Sequence, residues 1–75
     1  MWLIEIKDEE GNRLGYWREE TKRGFNRELA GIRTVVEGTR YTDEQRAKEI
    51  AAAVAECLTI TRGETITCEL YQFAG

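Results

Sequence analysis

One capped amphipathic helix constrains the fold of this chain more than any other feature. Apolar side chains recur at spacings of 3, 1, 3 and 4 residues, which is typical of the buried stripe of a single helix. Thr42 and Gln45 fit a capping box, and Asp43 and Glu44 place negative charge at the positive end of the helix dipole. We therefore predict a helix over residues 43–58. Its apolar stripe consists of Ala47, Ile50, Ala51, Val54 and Leu58.

A hairpin is predicted before the helix. Residues 2–7 alternate between apolar and polar side chains, so one face of this strand is apolar. Gly-Asn at residues 11–12 favours a two-residue turn, and residues 14–18 then form the second strand. The register stays open at this point. A two-residue loop places Trp17 on the apolar face of the first strand, whereas a three-residue loop places Leu14 and Tyr16 there.

Two further strands complete the predicted sheet. Residues 32–37 are rich in β-branched side chains and predict a third strand, and residues 64–73 alternate in the manner of a fourth. Residues 19–31 fit either a solvated connection or a segment that folds back, with Phe25 and Leu29 covering part of the sheet. The chain is thus predicted to be a single α+β domain: a mostly antiparallel four-stranded sheet (strand-strand-strand-helix-strand) with one amphipathic helix packed on one face.

The size of the helix determines how much of the sheet it can cover. A helix of about 16 residues is roughly 24 Å long and 10 Å wide, whereas four strands span about 19 Å. The helix therefore covers one face, and we expect the other to stay uncovered while carrying large apolar side chains among charged ones. That makeup favours protein binding. The candidate protein-binding residues are Leu3, Tyr16, Trp17, Val35, Tyr71 and Phe73.

These features predict a small, acidic, non-enzymatic protein-binding module. Its partner would be another protein or a second copy of the chain, so that the module acts as a homodimer component, an adaptor or an inhibitor. An inhibitor of nucleic-acid-binding proteins could mimic phosphate charge with carboxylates. The order of elements, with Gly38-Thr39 ahead of an alanine-rich helix, loosely resembles small antitoxin-like and phage-encoded proteins, a similarity of architecture that rests on no motif. The carboxylates available for charge mimicry are Glu9, Glu10, Glu19, Glu20 and Glu44.

The distribution of charge supports one alternative, a nucleic-acid-binding domain. Residues 13–40 hold seven basic and four acidic side chains, although the net charge of the chain is −3. Basic side chains beside aromatic rings suit phosphate contacts and base stacking. The run Lys22-Arg23-Gly24-Phe25 also matches the opening of the RNA-recognition motif, and the match ends there. The candidate residues are Arg13, Arg18, Lys22, Arg23, Phe25 and Arg27, together with Tyr16 and Trp17.

Composition argues against catalysis, metals, cofactors and membranes. The chain has no histidine and no serine, which removes the usual general base and the common nucleophilic pairs. Its glycines do not match phosphate-binding spacings, so no cofactor is predicted. Cys57 and Cys68 are too few for a structural zinc site and are interpreted as buried, reduced thiols. No apolar run approaches the roughly 20 residues of a membrane span, so we expect a cytoplasmic protein without membrane contact.

Overall fold

The computed structural model describes residues 1–19 and 31–73. The strands form one sheet in the order β3-β2-β1-β4, and each neighbouring pair is antiparallel. The predicted α+β fold, a four-stranded sheet with one helix, is therefore confirmed. The elements are β1 (Trp2–Lys7), β2 (Arg13–Arg18), β3 (Gly31–Arg33), α1 (Glu44–Arg62) and β4 (Thr67–Gln72).

The hairpin formed by β1 and β2 has a longer loop than either predicted form. The amide of Asp8 donates to the carbonyl of Asn12 at 2.9 Å, and the amide of Gly11 donates to the carbonyl of Asp8 at 3.0 Å. The carboxylate of Asp8 also accepts hydrogen bonds from the amides of Glu10 and Asn12, at 3.0 and 2.8 Å. Because Asp8 satisfies these amides, the chain reverses over residues 8–12.

A β-bulge in β2 determines which side chains face the helix. The pairing register shifts between Ile6 and Lys7, which leaves Leu14 as an extra residue of β2. Leu14 and Trp17 then both pack against the core on the helix side. Tyr16 points to the opposite side of the sheet. The structure thus matches neither predicted alternative in full, because the bulge places Trp17 from one and Leu14 from the other on the apolar face of β1.

The third strand is shorter than the predicted 32–37. It ends at Arg33, and the carbonyl of Thr34 then accepts hydrogen bonds from the amides of Glu37 and Gly38, at 3.1 and 3.0 Å. These two bonds close a turn. The prediction of a strand beyond Arg33 is therefore wrong, because local turn bonds take up the backbone groups that a strand would use.

The helix, Glu44–Arg62, begins one residue later and ends one turn later than the predicted 43–58. Its N-cap is Asp43, whose carboxylate accepts hydrogen bonds from the amides two and three residues further on, at 3.0 and 3.4 Å. The predicted cap, Thr42, lies one residue too early. Gly63 ends the helix in a left-handed conformation, with a φ of +71°.

The core lies between α1 and one face of the sheet. The helix packs chiefly over β1 and β4. Ile4, Ile6 and Ala47 are fully buried there, and each isoleucine contributes about 1.5–3 kcal/mol by leaving water. Cys68 and Leu70 of β4 pack against the same core, as their predicted face requires.

Candidate protein-binding surface

Residues 34–40 cover part of the sheet face opposite the helix. A Cβ atom on Gly38 would lie 2.8 Å from Leu3 Cδ2 and 3.0 Å from Tyr16 Cβ, so the backbone of this segment rests directly on both side chains. Leu3 is 0% exposed and Tyr16 is buried. The expectation that this face is uncovered therefore fails at these two residues, which a partner could contact only after residues 34–40 had moved.

The other candidate protein-binding residues lie in different environments. Trp17 is half-buried on the helix side, and its indole nitrogen Nε1 has no hydrogen-bond partner among the described residues. Val35 is half-buried in the turn after β3. Phe73 is also half-buried, with the guanidinium carbon of Arg40 4.8 Å from its ring centre. Tyr71, which is 44% exposed, is thus the one predicted residue with a freely accessible ring.

Tyr71 is supported from below by a buried ring. Its centre lies 5.9 Å from that of Tyr16, with an angle of 68° between the ring planes. Edge-to-face pairs of this kind add about 0.5–1.5 kcal/mol beyond burial. The contact orients Tyr71 before any partner arrives, so less side-chain entropy is lost on binding.

A charged cluster lies beside these rings on the same face. The carboxylate of Glu5 is 3.5 Å from Lys7 Nζ and 3.9 Å from Arg13 Nη1, and it accepts a hydrogen bond from the Tyr16 hydroxyl at 3.4 Å. Lys7 also contacts Glu69 at 3.1 Å. The hydrogen bond and charge of Glu69, with a smaller effect of Glu5, raise the pKa of Lys7. The charges on this face therefore neutralise one another in ion pairs.

The outer edge of β4 presents backbone groups that are unpaired among the described residues. Met1 and Phe73 exchange two hydrogen bonds: the Phe73 amide donates to the Met1 carbonyl at 2.7 Å, and the Met1 amino group donates to the Phe73 carbonyl at 3.1 Å. Positions in an antiparallel ladder alternate between hydrogen-bonded and non-hydrogen-bonded pairs. The amides and carbonyls of Cys68, Leu70 and Gln72 therefore point away from β1.

The sequence predicts the sheet face opposite the helix as the candidate surface, but it does not predict the free edge of β4. The alternation of residues 64–73 predicts which side chains of the last strand are buried, but alternation carries no information about the order of strands in the sheet. Without that order, β4 cannot be recognised as an edge strand. The absence of proline and lysine from Thr67–Gln72 was the available signal.

Of the candidate nucleic-acid-binding residues, the described positions bring Arg13 and Tyr16 into contact, with Arg13 Nη1 donating to the Tyr16 hydroxyl at 3.2 Å, but they do not bring Trp17 to the same site. Tyr16 and Trp17 lie on opposite faces of the sheet, so their rings do not form one stacking platform. Arg13 interacts with Glu5, and Arg18 Nη1 donates to the carbonyl of Glu37 at 2.8 Å. The remaining candidates lie outside the described residues: Lys22, Arg23, Phe25 and Arg27.

The two thiols are free and differ in exposure. Cys57 is exposed, contrary to the prediction, because it lies on the flank of the helix beside the buried stripe, and Cys68 is half-buried. Burial raises the pKa of Cys68 to about 11. In the described part of the chain, no group of three or more histidine, cysteine or acidic residues is placed to hold a metal ion. Within 1–19 and 31–73, no helix is long and apolar enough to cross a membrane.

No protein family, curated protein or solved structure matches this chain. Its function is therefore inferred from the geometry of the chain itself.

Proposed function

We propose that this protein is a small, non-enzymatic protein-binding module that adds a strand of its partner to the outer edge of β4. The observation that carries the proposal is the outward direction of the amides and carbonyls of Cys68, Leu70 and Gln72. Unpaired backbone groups on an edge strand are a template for another chain. In strand addition these main-chain hydrogen bonds supply the affinity, and the alternate side chains supply the specificity.

Apart from Glu69, whose charge is paired with Lys7, the β4 edge lacks the features that commonly protect edge strands. Natural sheets shield their edges with proline, lysine, bulges or very short strands. β4 has six residues, TCELYQ, without proline or lysine, and its register with β1 runs without a shift from Trp2 to Lys7. The opposite edge strand, β3, has only three residues. β4 is therefore the edge better suited to receive a strand.

Tyr71 gives this edge an anchor for recognition. It lies on β4 itself, the residue is 44% exposed, and Tyr16 supports its ring from within the fold. Tyrosine is enriched among the residues that dominate binding energy at protein interfaces. A strand added to β4 would therefore form backbone hydrogen bonds and also contact a pre-oriented ring.

The charged side chains of this region support a non-enzymatic role. Glu5 is engaged by Lys7, Arg13 and the Tyr16 hydroxyl, which occupies its carboxylate in structural contacts. The chain also contains no histidine, the side chain used most often for proton transfer. The contacts of Glu5 with Lys7, Arg13 and Tyr16 hold the side chains beside Tyr71 in place.

Site-specific photo-crosslinking in the cells that make the protein tests the proposal. A benzophenone amino acid is placed at Thr67, an exposed residue of β4, and at Glu49, an exposed residue of α1, as the control. We expect a crosslinked protein from position 67 and none from position 49. Gln72→Pro should abolish that crosslink without unfolding the domain, because it removes an outward amide that β1 does not use.

Phe73→Pro is the matched control for Gln72→Pro. It removes an inward amide that donates to Met1, so it should lower the stability of the domain, unlike Gln72→Pro. No crosslink from position 67, equal crosslinks from both positions, or a crosslink that persists in Gln72→Pro would each overturn the proposal.

A further inference from the structure

We infer that the strand added to β4 is β4 of a second copy, in an antiparallel pair centred on Leu70. This inference rests on the proposed function and names its partner. The dimer would join the two sheets into one sheet of about eight strands, with both helices on the same side. The charge of Glu69 disfavours the neighbouring register that is centred on Glu69.

Backbone direction limits the registers that a symmetric pair can adopt. Only Cys68, Leu70 and Gln72 offer outward groups, so these residues must pair with one another. In the register centred on Leu70, this residue lies opposite Leu70 of the second copy, and Cys68 lies opposite Gln72 of the second copy. The pair then forms about six hydrogen bonds. This register overlaps the whole of residues 67–73, the segment that pairs with residues 1–7 in the monomer.

A register centred on Glu69 is unfavourable. It would place Glu69 directly opposite Glu69 of the second copy, and like charges at opposed positions destabilise a sheet. In the register centred on Leu70, Glu69 instead lies opposite Tyr71 of the second copy, twice by symmetry. Lys7 already holds the Glu69 carboxylate at 3.1 Å, and the exposed Tyr71 ring can pack against the aliphatic part of that glutamate.

The position of the helix leaves room for the second copy. One flank of α1 faces β2, where Ile50 and Cys57 line an apolar groove beside Trp17. The opposite flank faces the free edge of β4, because the Thr59 hydroxyl on that side accepts a hydrogen bond from the Ile66 amide at 2.9 Å. With strands about 4.8 Å apart, a helix centred between β1 and β4 lies about 5 Å from the dimer axis. The two helix axes would then be about 10 Å apart, which is a normal packing distance.

The flank that faces the free edge has small side chains at its centre. Ala52 and Ala55 lie there between Lys48 and Thr59. Lys48 is paired with Glu44 of its own helix at 3.8 Å, and the alanines permit close contact with an antiparallel helix of the second copy. The strand edge thus favours a second copy of this chain, and the helix flank leaves room for it.

Sedimentation analysis across a concentration series tests the inference with two variants at one position. Tyr71→Glu and Tyr71→Lys both remove the ring and its contact with Tyr16. In the dimer the glutamate faces Glu69 as a like charge, whereas the lysine faces it as an opposite charge. We expect a dimer Kd for Tyr71→Glu that is at least about tenfold weaker than for Tyr71→Lys.

Further outcomes separate this inference from the proposed function. A wild-type chain that stays monomeric, equal Kd values for the two variants, or a dimer that survives Gln72→Pro would overturn the second-copy inference. In that case a Thr67 crosslink to a different protein would still support strand addition at β4. A crosslinked dimer in which position 67 attaches near Phe73 of the second copy supports both the partner and the register.

Discussion

Replacing Gly15 with alanine is expected to detach β3 from β2. The added methyl group would lie 2.5 Å from Ile32 Cγ2 and 2.8 Å from the carbonyl oxygen of Arg33. The isoleucine side chain can rotate away, but the carbonyl oxygen belongs to the backbone of β3. The strand itself must therefore shift, and its three residue pairs with β2 are disturbed.

Two effects add in this variant. The φ of Gly15 is +152°, a conformation that alanine adopts with about 1–2 kcal/mol of strain. Overpacking of a close contact destabilises by a further 1–3 kcal/mol or so. The expected loss of unfolding free energy is therefore about 2–5 kcal/mol, which corresponds to a fall in Tm of roughly 10 °C or more for a domain of this size.

Gly11→Ala is the matched control. Gly11 has a φ of +84°, but a Cβ atom there would meet no described atom within 4 Å. This variant should show the backbone strain alone, about 1–2 kcal/mol. Urea unfolding followed by circular dichroism gives both losses, and amide exchange at Ile32 and Arg33 reports on β3. The reasoning is refuted if Gly15→Ala loses no more stability than Gly11→Ala and leaves the β3 amides protected.

Three further predictions concern the cap, the thiols and the covering segment. Asp43→Ala should lower the free energy of unfolding by about 1 kcal/mol, whereas Asp43→Asn should keep most of the stability that the cap contributes. Equal losses for the two variants in urea unfolding would contradict the capping role. Iodoacetamide should label Cys57 faster than Cys68, as read by mass spectrometry, and equal rates would contradict the burial that raises the pKa of Cys68 to about 11. Burial in the folded state favours the neutral Cys68 thiol and raises its pKa from 9.0 to about 11. The contribution of Cys68 to the free energy of unfolding should therefore be lost as the pH rises through that range. Gly38→Ala should destabilise by about 1–3 kcal/mol, and a penalty that does not shrink in a Leu3→Ala background would show that the two residues are not in contact.

Periodicity predicted those parts of the fold that depend on one buried stripe. The apolar positions of α1 and the alternation of β1 and β4 follow directly from burial on one side, so the helix, both strands and their faces could be predicted. The helix C-terminus was placed too early because Thr59, Ile60 and Thr61 have weak helix propensity, while the Gly63 cap and tertiary packing extend the helix past them.

Features that depend on contacts between distant segments could not be predicted. The bulge at Leu14 has no local signature, and the turn after Arg33 replaces a strand that its β-branched residues favour. The same limit applies to the candidate surface. Tyr71 was identified as accessible, but the covering of Leu3 depends on a segment more than thirty residues away in sequence, as the contact with Gly38 shows.

The central position of β1 has a consequence for how the chain folds. β1 pairs on one side with nearby β2 but on the other with β4, so that Trp2 lies opposite Gln72. Contacts of such large sequence separation slow folding, because loop closure must precede them. During synthesis β1 stays without its second neighbouring strand until β4 has left the ribosome. The sheet is therefore complete only once β4 has paired with β1, so the domain folds after β4 has been synthesised rather than when the first hairpin has formed.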